Sequence, residues 1–129
     1  MKTIDDVLNE WNKVKTNGHN IGEVLKHYLV CAIWADGDEE WSDADIYEMS
    51  IESADYAGKE IINFLSLCGD LLEDWTDEQI GHDFWLTRQG HGAGFWDRAY
   101  NNADEVTAIC EKFRSVNLWR SECDVIYIE

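Results

Sequence analysis

The chain has 129 residues, with 27 acidic side chains against 10 Lys and Arg and a formal net charge of −17. Its 45% hydrophobic content, with seven Trp, five Tyr and four Phe, is ample for the packed core of one acidic globular domain over residues 1–129 and argues against a disordered chain. The acidity argues against direct binding to nucleic acid or to an anionic membrane, both of which need a basic patch, and no apolar run approaches the length of a membrane span.

The N-terminus, Met1-Lys2-Thr3-Ile4-Asp5-Asp6, lacks the pattern of a signal peptide. Thr3 with Asp6 resembles a capping box, and Ile4, Val7, Leu8, Trp11 and Val14 follow helical spacing, predicting a helix from Thr3 to about Lys15 that Thr16-Asn17-Gly18 stops. A second helix is expected after Asn20, with Glu23 at its third position, running to about Ala35. Its broad apolar face of Val24, Leu25, Tyr28, Leu29, Ala32 and Ile33 marks it as central, and Asp36-Gly37-Asp38 ends it in a turn. A third helix is expected from Ser42. Ser42 and Asp45 form a capping box there, and Trp41 with Ile46 a hydrophobic staple. Ile46, Met49, Ser53, Ala57, Ile61, Phe64, Cys68 and Leu71 share one stripe, as one long helix or as two with a break near Gly58, where glycine costs about 1 kcal/mol relative to alanine.

Thr76 to Phe84 reads as a short helix with Gln79 at its third position. Phe84-Trp85-Leu86-Thr87-Arg88 and Phe95-Trp96 are strand-like around the glycine-rich Gln89–Gly94, which suggests a hairpin. Asn102 to about Phe113 is a further helix, with Val106, Ile109, Cys110 and Phe113 inward. Asn117–Arg120 and Asp124–Ile128 form a second hairpin. The expected fold is α+β, predominantly helical, with a small antiparallel sheet from late hairpins. Cys31, Cys68 and Cys110 lie in apolar periodic stretches and no C-x-x-C pair exists, so they read as reduced core residues of a cytosolic protein.

The charge is concentrated. Between Asp36 and Asp83 stand sixteen acidic residues and a single base, Lys59, so −15 of the −17 lies in that segment. On a third helix starting at Ser42, Asp45, Glu48, Glu52 and Asp55 fall within an arc of roughly 80° at about 100° per residue, opposite the apolar stripe. Neighbouring carboxylates on such a stripe are roughly 5–6 Å apart at the Cβ level, close to the spacing of successive phosphates on a nucleic-acid strand. Asp36, Asp38, Glu39, Glu40 and Asp43 precede the stripe, and Glu73, Asp74, Asp77 and Glu78 extend the field beyond it. Ordinary solvated faces mix signs, because like charges one turn apart repel, so a surface that imitates a polyanion stands beside the plain solvated face as an explanation. Asp36, Asp38 and Glu40 have calcium-loop spacing, but Gly37 and the missing glutamate at loop position 12 spoil the EF-hand match.

The densest motif runs from Gly81 to Arg98 and contains His82, Asp83, Trp85, Arg88, His91, Trp96, Asp97 and Arg98. His82 and His91 with Asp83 or Asp97 would suit a metal, and either histidine could act as a general base. No H-x-x-x-H pair, nucleophile elbow or phosphate loop accompanies them, and Gly90, Gly92 and Gly94 do not open a long helix as a dinucleotide fingerprint does. The plain alternative is structural: glycines turn the chain, Phe-Trp pairs pack on helices and Asp–Arg pairs fix the loop. His19 and His27, with no partner pattern, read as surface or helix-face residues.

The string G-H-D-F-W-L-T-R-x-G-H-G-A-G-F-W-D-R, from Gly81 to Arg98, resembles a motif of a family of small acidic proteins from bacteriophages and related mobile elements. The resemblance extends to the aromatic helix around Tyr28 to Trp34 and to the terminal strand Asp124–Ile128. It implies a phage-like origin and a recurring small domain, and it transfers no catalytic residue, because the family has no established activity. With the charge, it leads to the expectation of an accessory protein in the bacterial host cytoplasm. Such a protein would inhibit a basic or nucleic-acid-binding host protein through a DNA-mimicking surface, without cofactor or metal. The alternatives are a small enzyme or metal protein using His82, Asp83, Arg88 and His91, and a structural protein whose acidity confers solubility.

Overall fold

The computed structural model describes residues 1–38, 41, 44–97 and 102–129. Helix α1 (Ile4–Trp11) starts at the expected capping box, with Thr3 Oγ1 accepting the Asp6 amide and Asp6 the Thr3 amide. The Asn17-Gly18 pair does more than stop it. Both residues have positive φ, 53° and 84°, the pattern of a type I′ turn, and they join strands β1 (Lys15–Thr16) and β2 (His19–Asn20) in a minimal hairpin. His19 is buried rather than on the surface. Its Nδ1 meets Asp77 Oδ1 at 2.8 Å and its Nε2 the Leu72 carbonyl at 2.8 Å.

Helix α2 (Ile21–Asp36) is capped by Asn20, whose side chain accepts the Glu23 amide at 3.1 Å. It is central: Ile21, Val24, Leu25, Tyr28, Leu29, Cys31 and Ala32 are all buried against helices on several sides.

The third helix does not begin at Ser42. Asp45 caps a single 3₁₀ turn, Ile46–Glu48, and the chain then extends through Met49 and Ser50, where Met49 bridges to Ile126 and the Ser50 amide donates to the Ile126 carbonyl at 2.7 Å. Only then does helix α3 (Ile51–Cys68) start, capped by Ser50 on the Ser53 amide. It runs unbroken past Gly58, which lies under the Trp11 indole: a Cβ there would stand 2.6 Å from Trp11 Cε2. Ser42 itself lies outside the described residues.

The strand expected at Phe84–Arg88 is helix. Helix α4 (Asp77–Arg88), capped by Thr76, continues through Phe84, Trp85, Leu86, Thr87 and Arg88, every one of them buried. Covered on all sides, these residues show no apolar–polar alternation of helical period, which is why they resemble a buried strand. Phe95–Asp97 is a 3₁₀ turn, so no hairpin flanks the glycine loop. Helix α5 (Ala103–Cys110) is shorter than expected, with Val106 and Cys110 buried and Ile109 and Phe113 half-buried. The late hairpin is present as β3 (Leu118–Arg120) and β4 (Ile126–Ile128), paired antiparallel and fastened to the start of α3 where the Ile128 amide donates to Ser53 Oγ at 3.2 Å.

The core is aromatic at its centre. Phe64 and Phe84 stack with centroids 4.3 Å apart, Phe113 meets both edge-on, and Tyr28 packs on Phe84 and Trp85. Cys31, Cys68 and Cys110 lie in this core as free thiols, while Cys123 is exposed. The fold is thus helix-dominated α+β, with five α-helices and two small antiparallel pairs among the described residues. None of those helices is long and apolar enough to cross a membrane.

Candidate functional site

The motif divides into a buried part and a surface part. Gly81 sets the geometry, because a Cβ there would collide with the Val24 carbonyl and stand 2.9 Å from the Tyr28 nitrogen, so α4 lies against the backbone of α2. Below it, Arg88 is 5% exposed. Its guanidinium donates to both oxygens of Glu60 at 3.0 and 3.3 Å, to the Tyr28 hydroxyl at 3.1 Å and twice to the Arg114 carbonyl, at 2.7 and 3.1 Å. It also lies over the Phe84 and Phe113 rings. Burial opposes the charge, but Tyr28 and Glu60 hold the guanidinium above its ordinary pKa, while burial pushes the Tyr28 hydroxyl upward against the pull of Arg88. With its donors so fully engaged, Arg88 is a structural cation.

The glycine loop folds back over the end of α4. Gly90 and Gly94 have φ of +74° and +155°, and a Cβ at Gly94 would strike Thr87 Oγ1. That hydroxyl accepts the Phe95 amide at 3.0 Å and delivers Phe95 into the core. Gln89 reaches the other way: its side chain donates to the Val116 carbonyl at 2.8 Å and accepts the Val116 amide at 2.7 Å, as a paired strand would.

The surface part gathers at the C-terminal end of α2. Asp36 is the last residue of that helix, where the macrodipole disfavours a carboxylate. Two motif residues hold it there: Trp85 Nε1 donates to Oδ2 at 2.5 Å, and His91 Nε2 lies 3.0 and 3.1 Å from the two oxygens. Because a carboxylate only accepts, Nε2 carries a proton in this contact. Burial pushes the Cys31 thiol beneath up to about 12, with Asp83 and Asp36 adding to the effect. His82 tilts onto Trp34, ring centroids 5.6 Å apart, and its Nδ1 is 3.7 Å from buried Asp83. Trp96 and Asp97 are exposed beyond the loop, and Arg98 lies outside the described residues.

The acidic residues do not form the single helical stripe expected of them, because α3 starts six residues after Asp45. Asp45 caps the 3₁₀ turn through the Tyr47 amide. Glu48 pairs with Arg120 at 2.9 Å, and Asp55 accepts the Trp11 indole at 3.1 Å with Lys59 at 3.6 Å. Asp77 holds His19. Asp38, Asp45, Glu52, Glu73, Asp74 and Glu78 are exposed, whereas Glu39, Glu40 and Asp43 lie outside the described residues.

Sequence reasoning missed the groove beside Asp36. Val30, Ile33 and Trp34 of α2 face Trp41, Ala44, Asp45 and Ile46 across an open cavity of about 380 Å³. Trp41 packs on the helix end, since a Cβ at Gly37 would stand 3.3 Å from Trp41 Cε3. Val30 also lines a neighbouring cavity of about 410 Å³ with His27, Thr76, Glu78, Gln79 and His82. The available signal was α2 itself, whose apolar residues Val30 and Trp34 fall outside the face that packs inward.

Among the described residues, no three His, Cys, Asp or Glu side chains are placed to hold a metal ion. His82, Arg88 and His91 meet three different partners, Asp83, Glu60 and Asp36, and do not converge on one centre. No family model, curated protein or solved structure matches the chain.

Proposed function

We propose that this chain is a phage-type accessory protein that binds and inhibits a basic host protein of the DNA-binding or DNA-processing class by occupying its nucleic-acid surface. The observation that carries the proposal is the sixteen acids against one base between Asp36 and Asp83. Single carboxylates of this run hold the fold, as Asp36, Glu60 and Asp77 do, but an acidic surplus on that scale opposes compactness by self-repulsion, whereas it favours a positively charged partner and speeds its approach. Support comes from the exposure of Asp38, Asp45, Glu52, Asp70, Glu73, Asp74 and Glu78. The resemblance of the Gly81–Arg98 string to phage proteins supplies the origin, and the bacterial cytoplasm is then the place of action.

The test is capture of partners from bacterial lysate on the tagged protein, at low and high salt and with duplex DNA as competitor. A DNA-binding protein retained at low salt, released by salt and displaced by DNA is the expected result. Glu52→Lys with Glu73→Lys should abolish capture and leave helical circular dichroism intact, because both carboxylates are exposed. Capture that ignores both salt and charge reversal sinks the proposal.

A further inference from the structure

Trp34 leaves α2 with 72% of its surface exposed, and Val30, one turn earlier, with 45%. Single exposed apolar residues are ordinary, but these two share one wall of the groove that Trp41 and Ile46 close from the other side. Its volume of about 380 Å³ falls within the range of small-ligand sites. Among the described residues the lining holds one charged side chain, Asp45, and neither Lys nor Arg. Asp45 Oδ1 accepts the Tyr47 amide at 2.9 Å, and Oδ2 has no hydrogen-bond partner among the described residues. The neighbouring cavity, which shares Val30, is lined by Glu78 together with His27 and His82.

Three kinds of side chain can be weighed for such a site. A neutral apolar group would fill the groove but gain nothing from Asp45 or from the surrounding negative field. A lysine ammonium answers the charge, yet it is a compact and strongly hydrated point that resists burial between indoles. A guanidinium is flat, permanently charged and weakly hydrated; it stacks on aromatic faces while its N–H fork meets a carboxylate edge-on. Phosphate-binding surfaces are also rich in arginine. We infer, resting on the partner-binding function proposed above, that the Trp34–Trp41 groove receives an arginine side chain of the basic partner, with its guanidinium against an indole face and bonded to Asp45 Oδ2.

The test is a proton–nitrogen NMR titration of the full chain with N-acetyl-arginine methylamide, and in parallel with its lysine and citrulline counterparts. The indole signals are assigned from Trp34→Phe and Trp41→Phe. The expected result is selective movement of the Trp34 and Trp41 indole signals by the arginine compound, several-fold larger than with lysine and absent with citrulline. Asp45→Asn, which can still cap the 3₁₀ turn, should weaken the response several-fold. Equal responses to arginine and lysine, or shifts spread over acidic residues with the two indoles unmoved, overturn the inference. The two proposals fail separately. Selective arginine binding without any basic partner from lysate upholds the groove and removes the inhibitor function. Undiminished partner capture by a Trp34→Ala/Asp45→Asn protein removes the groove and leaves the function.

Discussion

At Gly81 any side chain would push on the Val24 carbonyl and the Tyr28 nitrogen of α2, and backbone inside a central helix has nowhere to move. Gly81→Ala should therefore lower stability by about 1–3 kcal/mol, the range for overpacking. Gly92 is the internal control: it lies in the same motif, has no positive φ, and a Cβ there would meet nothing within 4 Å. Gly92→Ala should stay within about 0.5 kcal/mol of the parent. Urea midpoints of the two variants compare them directly, and equal midpoints would remove the close-approach explanation of the motif's first glycine. At this scale the motif was legible as chemistry but not as geometry. Trp85, His91 and Asp36 were each conspicuous in the sequence, yet Asp36 stood with the acidic run and the other two with the motif. Nothing local says that the three meet, because the contact closes over 49 and 55 residues of chain.

Helix α4 and the loop after it hold the C-terminal segment through side chains rather than through a sheet. Gln89 takes both the amide and the carbonyl of Val116, and Arg88 takes the carbonyl of Arg114. Gln89→Leu would leave two half-buried backbone groups without partners, at a cost of about 1–3 kcal/mol. Hydrogen exchange should show the loss locally: the Val116 amide and the β3–β4 hairpin open, while α2 and α4 keep their protection. Unchanged exchange at Val116 would mean that the glutamine bridge is incidental. The same dependence on distant contacts decides which elements the sequence could reveal. Helices α1 and α2 carry their own caps at Thr3 and Asn20 and were legible from them. Ser42 and Ser50 are both plausible caps for the third helix, and the choice falls to Ser50 because its amide is taken by Ile126 of β4, a contact no local pattern encodes. The first turns of α4 were legible from the Thr76 cap, whereas from Phe84 to Arg88 burial on every side erased the period by which a helix is recognised.

Over the whole molecule the net charge and the buried thiols act in the same direction at high pH. Burial pushes Cys31 and Cys68 up to about 12, and Cys110 and the Tyr28 hydroxyl are raised as well, each chiefly by desolvation. Thiols of an unfolded chain titrate near 8.5, so above about pH 9 the unfolded state releases protons that the folded state keeps. The unfolded chain then binds fewer protons, which makes the slope of unfolding free energy with pH negative. Stability from each thiol is fully present below about pH 8.5 and is lost towards pH 12, by up to about 1.4 kcal/mol per pH unit per thiol. Tyr28 joins from about pH 10 upward. Urea midpoints at pH 8 and pH 10.5, in enough salt to screen the −17 charge, should therefore fall steeply. Cys31→Ala with Cys68→Ala should start lower at pH 8, because two buried side chains are truncated, and then fall less steeply with pH. If the double variant keeps the parent's slope, Cys31 and Cys68 have no part in the alkaline loss.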